Sequence, residues 1–325
     1  MCDAVWAGVD IGGTKTAVVL SESPPQVLCR VEFPTLPAQG PERAIGLIVK
    51  ALRDSLGGRT LRGIGVSCGG PLDSAAGLIQ APPNLSTWVD IPINRILREK
   101  FGVPCALEND ANAGAVAEHR FGAGRGTRNM IFLTMGTGLG AGIIVDGRLY
   151  RGTCDAAGEI GHVRLTRSGP VGYHKAGSVE GWASGGGLSQ VAAAEVAKAR
   201  ERGRSTVLPD APTAKDVAEA ARAGDALAKK LIRATGKRLG ETLAILVDIL
   251  NPERIVIGGL AMRLRDDLLA PARAVLRREA LPASLAVCEI VPAQLDERIG
   301  DLAALCVALY HASPGGTGGI EENLV

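Results

Sequence analysis

The chain has 325 residues, more than one compact core usually takes and enough for two domains. With 46% hydrophobic and 22% charged residues it has the balance of an ordinary globular protein, which excludes a disordered or fibrous class. Its 36 basic and 34 acidic residues leave a net charge of +2, so no electrostatic footprint for nucleic acid or an anionic membrane is expected.

Apolar runs such as Met130–Met135 and Leu243–Val247 fall far short of the ~18 residues of a membrane helix. The first residues carry no basic stretch followed by an apolar signal core, so a cytoplasmic protein is expected. The seven cysteines (Cys2, Cys29, Cys68, Cys105, Cys154, Cys288 and Cys306) are scattered without paired spacing. They read as free thiols of a reducing compartment, not as a disulfide framework.

In chain order, Val5–Ile11, a turn at Gly12–Thr14 and Thr16–Leu20 read as a hairpin, with Val27–Phe33 as a third strand. Helical spacing of Ala44, Ile45, Ile48, Val49 and Leu52 predicts a helix over Pro41–Leu56, opened by proline. A strand at Gly63–Ser67 ends in the loop Cys68–Gly69–Gly70–Pro71. A helix over Ile93–Phe101, a strand at Pro104–Glu108 and a helix from Ala111 follow. Strand Asn129–Thr134, turn Gly136–Gly140, strand Ala141–Val145 and strand Arg148–Tyr150 then repeat the pattern of the first twenty residues. Helices are predicted over 185–202, 213–223, 225–249, 266–279 and 300–312, with strands at Arg254–Ile257 and 286–292. The sum is an α/β fold with mixed sheets and two halves, each opening on a glycine-bearing hairpin, with a cleft expected between them.

Four motifs carry chemistry. In Asp10–Ile11–Gly12–Gly13–Thr14–Lys15–Thr16, successive N–H groups of a glycine turn form an anion cradle. Thr14 and Thr16 offer hydroxyl donors and Lys15 a positive charge. Asp10 suits phosphate only through Mg²⁺ and its waters. Met135–Gly136–Thr137–Gly138–Leu139–Gly140 is a second such turn; it continues into a strand, whereas a dinucleotide fingerprint must open a helix. In Glu108–Asn109–Asp110–Ala111–Asn112, Asp110 stands where a helix cap would, or where a carboxylate accepts the proton of an attacking hydroxyl. In Gly158–Glu159–Ile160–Gly161–His162 and downstream at Glu180, carboxylates and an imidazole are suited to pairing sugar hydroxyls.

Together these motifs resemble the ROK family of sugar kinases and repressors, within the actin-like ATPase (ribonuclease H-like) fold. The resemblance also runs through Pro83-Asn84-Leu85 and Trp88, Ser184-Gly185 and Asn251-Pro-Glu-Arg-Ile-Val-Ile-Gly-Gly259, over most of the chain. It implies an ATP-dependent hexose kinase, with glucose at O6 as the first substrate and Asp110 as base. The alternatives are an N-acetylhexosamine kinase, a fructokinase or, in another class, a silent sugar-binding regulator. A repressor's helix-turn-helix is expected to precede the first hairpin, which here begins at Val5.

By the same resemblance Asp10, Gly12, Gly13, Thr14, Lys15, Gly136, Thr137 and Gly138 grip ATP and Mg²⁺, with Gly258 and Gly259 against the adenosine. Gly70, Asn84, Asn109, Glu159, His162 and Glu180 bind the sugar. Polyphosphate stays open as donor, and a homodimer is implied. The expected domains are 1–112 plus 300–313 and 113–299, with 314–325 a disordered tail. Many relatives bind structural zinc through that histidine and a cysteine-rich loop. Val171, Tyr173 and Ser178 stand at the cysteine positions here, so no zinc is expected and packing of Tyr173 and Trp182 is expected to hold the loop.

Overall fold

The computed structural model describes residues 4–295 and 298–312, so the expected tail at 314–325 lies outside the described residues. In chain order the first elements are β1 (Ala4–Ile11), β2 (Lys15–Ser21), β3 (Cys29–Pro34), α1 (Pro41–Leu56), β4 (Thr60–Cys68), β5 (Leu72–Asp73) and β6 (Leu78–Ile79). Then come α2 (Ile93–Phe101), β7 (Cys105–Asn109), α3 (Asp110–Phe121), β8 (Met130–Met135), β9 (Leu139–Val145), β10 (Arg148–Tyr150), β11 (Val171–Gly172) and β12 (Lys175–Ala176). The remainder is α4 (Val179–Ala183), α5 (Gly185–Glu201), α6 (Ala214–Arg222), α7 (Ala226–Leu250), β13 (Arg254–Gly259), α8 (Leu260–Leu264), α9 (Asp266–Glu279), α10 (Pro282–Ala286), β14 (Glu289–Pro292) and α11 (Ile299–Ala312).

The chain packs as two compact units. Among the described residues, the first comprises 4–128, 142–157 and 298–312; the second comprises 129–141 and 158–295. The sequence-based division, with its boundary at 112, differs. The α3 face of Ala111, Ala113, Ala115 and Ala117 is buried and the helix packs on α11, which keeps it in the first unit. Residues 142–157 join it because Gly142 comes so close to α3 that an added Cβ would meet the Ala111 carbonyl at 2.4 Å.

The first unit's sheet runs β3-β2-β1-β4-β7. β1 pairs antiparallel with β2 and parallel with β4, and β4 parallel with β7. The parallel registers Asp10↔Ser67 and Cys68↔Asn109 bring the carboxyl ends of three strands to one level, the edge at which open α/β sheets bind ligands. One core forms where Ile48 and Leu52 of α1 join Val9, Val18 and Val66. α11 packs on β1 and β4, and this demands Gly65: a Cβ there would lie 2.1 Å from the Ala304 carbonyl oxygen.

The second sheet has the order β10-β9-β8-β13-β14, with β8, β13 and β14 parallel. Its helices start at side-chain caps: Ser184 for α5, a Thr213/Asp216 capping box for α6 and Asp225 for α7. α7 packs along α9. The strand expected at 286–292 is shorter, because Pro282 opens α10 and leaves only Glu289–Pro292 to pair with β13. The six described cysteines are all unpaired.

Candidate active site

In the first unit the β1–β2 turn is closed by the Gly12 N–H on the Lys15 carbonyl at 3.0 Å. Thr35 braces it from below, donating its hydroxyl to the Gly12 carbonyl at 2.6 Å and its N–H to the Thr14 carbonyl at 3.0 Å. Since the Thr35 proton is spent there, the buried Thr16 hydroxyl donates to Thr35 Oγ1 at 2.8 Å. Thr16 is therefore part of the brace and not a free donor. The structure also answers the Lys15 charge: its ammonium lies 3.0 Å from Glu32 on β3, both side chains in contact with water. Gly13 meets Asn84, since a Cβ on Gly13 would stand 2.6 Å from that of Asn84. The sequence-distant Pro83–Leu85 turn is thus brought to the glycine turn.

The β7–α3 junction resolves the ambiguity at Asp110. The cap is Asn109, whose Oδ1 accepts the Ala111 N–H at 2.9 Å; Asp110 is the first residue of the helix, its Oδ1 2.8 Å from the same N–H. The Gly69–Gly70 loop runs against both, with added Cβ atoms 4.0 Å from Asp110 Oδ2 and 3.3 Å from Asn109 Nδ2. Asp110 reaches water yet is flanked by protein, and this desolvation, outweighing the Ala111 N–H, raises its carboxyl above the ordinary range. Asp10 is pushed up to about 7, first by burial and then by the Asp110 and Asp301 carboxylates. Burial, with the Asp110 and Asp10 carboxylates nearby, also pushes the Cys68 thiol up, so it stays neutral.

Two carboxylates beyond the sequence reading frame this site. Asp301 on α11 is buried and accepts from Arg30 Nε at 2.8 Å; a Cβ on its neighbour Gly300 would sit 2.3 Å from Asp10 Oδ2. Glu108 is 2% exposed and holds the β7–α3 junction from behind. Its Oε1 accepts the Asn109 N–H and Asn112 Nδ2, both at 3.0 Å, while Oε2 accepts Arg151 Nε at 2.9 Å and Nη2 at 2.6 Å. Nothing local in the sequence joins Arg151 to Glu108 or Asp301 to Asp10; both pairings come from the fold.

In the second unit the β8–β9 turn is tied to the start of α5. The Gly185 N–H donates to the Gly136 carbonyl at 2.8 Å and the Gly186 N–H to that of Thr137 at 3.0 Å. Gly136, Thr137 and Gly259 line a cavity of about 450 Å³ together with Thr213, Lys215 and Arg263. Gly259 has φ 69°, and a Cβ there would stand 2.2 Å from the Met135 carbonyl oxygen, so glycine is required. Gly258, expected against adenosine, is instead buried beside Phe132 and lies off the cavity lining. Gly138 turns toward Glu180: its added Cβ would be 2.5 Å from Oε2, the atom that accepts the Leu139 N–H at 3.1 Å. Glu180 therefore braces the turn with one oxygen.

Gly161 packs on the Leu139 carbonyl, which brings the Glu159–His162 turn to β9 and next to Glu180. Glu159 and His162 are exposed, and Tyr173 meets the His162 ring edge-on at 6.2 Å. Tyr173 is itself 57% exposed, so it does not anchor its loop as expected. Trp182 does: its Nε1 donates to Thr166 Oγ1 at 2.7 Å and the Arg238 guanidinium lies 4.9 Å over its ring. The loop is otherwise tied by hydrogen bonds, among them Lys175 Nζ to the His162 carbonyl at 2.8 Å and Leu165 N–H to the Gly177 carbonyl at 2.9 Å.

Two glycine turns at strand ends, one beside paired aspartates and one opening a cavity, define a phosphoryl-transfer protein of the actin-like ATPase fold. The ROK family profile matches residues 6–310, and the chain belongs to that family. A glucokinase of Halalkalibacterium halodurans is 35% identical over 295 residues, covering 87% of this chain and 88% of that protein. A bifunctional NanE/NanK enzyme of Brucella melitensis is 35% identical over 91% of this chain and 53% of its own length. A ROK family glucokinase of Streptomyces griseus, solved with glucose and AMPPNP, has TM-score 0.78 and 31% identity over 94% of this chain and 99% of that one.

Proposed function

We propose that this chain is an ATP-dependent hexose kinase that transfers the γ-phosphoryl group of ATP to O6 of glucose, with Asp110 as general base. The observation that carries this is the position of Asp110 beside the Gly69–Gly70 loop, at a helix start already capped by Asn109. Asp110 spends one oxygen on the Ala111 N–H, and its carboxyl, raised above the ordinary range, is the better acceptor for the proton of an attacking hydroxyl. As that proton passes to Asp110, the hydroxyl oxygen bonds to the γ-phosphorus and the bond to the ADP oxygen breaks.

In this reading, which rests on the family resemblance, the Gly12–Lys15 turn, Gly136 and Thr137 serve phosphate, Gly259 serves the adenosine, and Gly70, Asn84, Asn109, Glu159, His162 and Glu180 serve the sugar. Asp10 suits Mg²⁺, because a carboxylate destabilised by burial and two neighbouring carboxylates is relieved by a divalent cation. Mg²⁺ would neutralise phosphate charge there, held jointly by Asp10, waters and phosphate oxygens. The reading includes no structural zinc and a homodimer, twice the 33.5 kDa chain mass by light scattering. An N-acetylhexosamine kinase is the second reading, favoured by the NanE/NanK relative.

The test is ADP release with Mg·ATP against glucose, N-acetylglucosamine, N-acetylmannosamine, mannose and fructose, with a polyphosphate arm. Turnover on glucose, lost in Asp110→Asn while both substrates still bind, is the expected result. Preference for an amino sugar would select the second reading. Binding of sugar without turnover on any acceptor would make the chain a sugar-binding regulator.

A further inference from the structure

The β11–β12 hairpin has a two-residue connection, Tyr173–His174, with φ 39° and 63°. A connection with both φ values positive favours asparagine followed by glycine, so a bulky ring at each position is strained. Neither ring is buried in return, since both residues are exposed. Such a conformation persists only where its flanks are fixed, and here they are fixed from several sides. Gln190 of α5 holds Val171 by both backbone groups, Oε1 accepting its N–H at 3.0 Å and Nε2 donating to its carbonyl at 2.8 Å. Arg164 Nη1 donates to the Ala176 carbonyl at 2.6 Å. Gly172 is pressed against Glu180, whose Cβ would stand 2.7 Å from an added Cβ.

The strained tip meets His162. Lys175 Nζ donates to its carbonyl, Tyr173 faces its imidazole edge-on, and His174 lies 5.5 Å from the Tyr173 ring. Among the described residues the imidazole nitrogens make no hydrogen bond, so a ring contact sets the orientation of this exposed side chain. We propose that Tyr173 is a positioning residue: the hairpin sets its ring against His162 so that the imidazole is held ready for a sugar hydroxyl. This rests on His162 as a sugar-binding residue. An exposed imidazole otherwise samples several rotamers, and fixing it beforehand removes that cost from sugar binding. The hairpin gives up stability and the sugar site gains affinity.

Ring-proton spectra test the contact without any ligand. The chain has four histidines, and the His162 signals are those lost in His162→Gln. They should show nuclear Overhauser contacts that disappear in Tyr173→Ala. Calorimetry with glucose and N-acetylglucosamine tests the consequence. Tyr173→Ala should weaken sugar binding by about two- to tenfold and raise the sugar KM alike, with kcat and the ATP KM in place. Tyr173→Phe should retain wild-type affinity. The double variant Tyr173→Asn/His174→Gly should melt higher than wild type, its strain relieved, and yet bind sugar as weakly as Tyr173→Ala. A purely structural tip would move the melting temperature alone. Absence of the ring contact, a double variant that melts lower, or wild-type sugar affinity in Tyr173→Ala would overturn the proposal. His162→Gln separates the two failures. Weakened binding there with unchanged binding in Tyr173→Ala overturns the role of Tyr173 alone, whereas unchanged binding in both removes His162 from the sugar site as well.

Discussion

Asp110→Asn removes the proton acceptor and keeps the shape, so kcat should fall by about 10²–10⁴ with sugar and ATP affinities little changed. A stopped assay with parallel calorimetry separates the two quantities, and near-normal kcat would reduce Asp110 to a helix-start residue. Asp10 predicts a pH dependence. Its carboxyl titrates at about 7 in the folded protein against an ordinary 3.8, so between those values the folded state holds the extra proton. The ligand-free protein should accordingly lose stability as pH rises through that window, and Asp10→Asn should flatten the loss. Thermal melts across pH 4–8 read it directly, and Mg²⁺ with nucleotide should move the midpoint down. The placement of these residues at strand ends was legible because glycine turns and a carboxylate at a strand end advertise themselves in sequence. The assignment of the cap to Asn109 was not legible, since two adjacent cap-forming side chains compete for one Ala111 N–H.

The Glu108–Arg151 contact shows what an element junction adds to its residues. Arg151 follows β10 while Glu108 lies in β7, and two donors of a planar guanidinium converge on one buried oxygen. Arg151→Met should cost about 3 kcal/mol by urea unfolding, a buried carboxylate being left without its ion partner. It should lower kcat more than it raises the glucose KM, because the loop bearing Asp110 loses its backing. Gly259→Ala should cost about 1–3 kcal/mol for the positive φ alone, before the contact with Met135, and should raise the ATP KM. The strands and long helices followed hydrophobic period, and their ends moved by only a few residues. Residues 286–292 failed because Pro282 opens a short helix that apolar pattern alone does not reveal. Tyr173 failed differently: being aromatic says that a side chain has surface to bury, not that the loop will turn it inward.

For the whole molecule, hydrogen bonds donated by Lys175 and Trp182 and one accepted by the Gly177 carbonyl tie the 163–180 segment. Purified protein should carry no stoichiometric zinc by elemental analysis, and a chelator should leave its melting temperature in place; one zinc per chain would overturn that reading. The division into units was only partly visible in the sequence. The last helix was assigned to the first unit through the family resemblance, whereas residues 113–128 and 142–157 were not; α11 and 142–157 return to that unit through contacts such as Gly65 with Ala304 and Gly142 with Ala111. That return sets the order in which a nascent chain can mature. β1, β4 and β7 leave the ribosome early, but the helix that covers β1 and β4 and brings Asp301 toward Asp10 is made after the whole second unit. At ~5–20 residues per second the interval is about 10–40 s, during which the early strands wait with an uncovered apolar face. A ribosome stalled after residue 298 should display a protease-sensitive first unit, and release of the last helix should lock it.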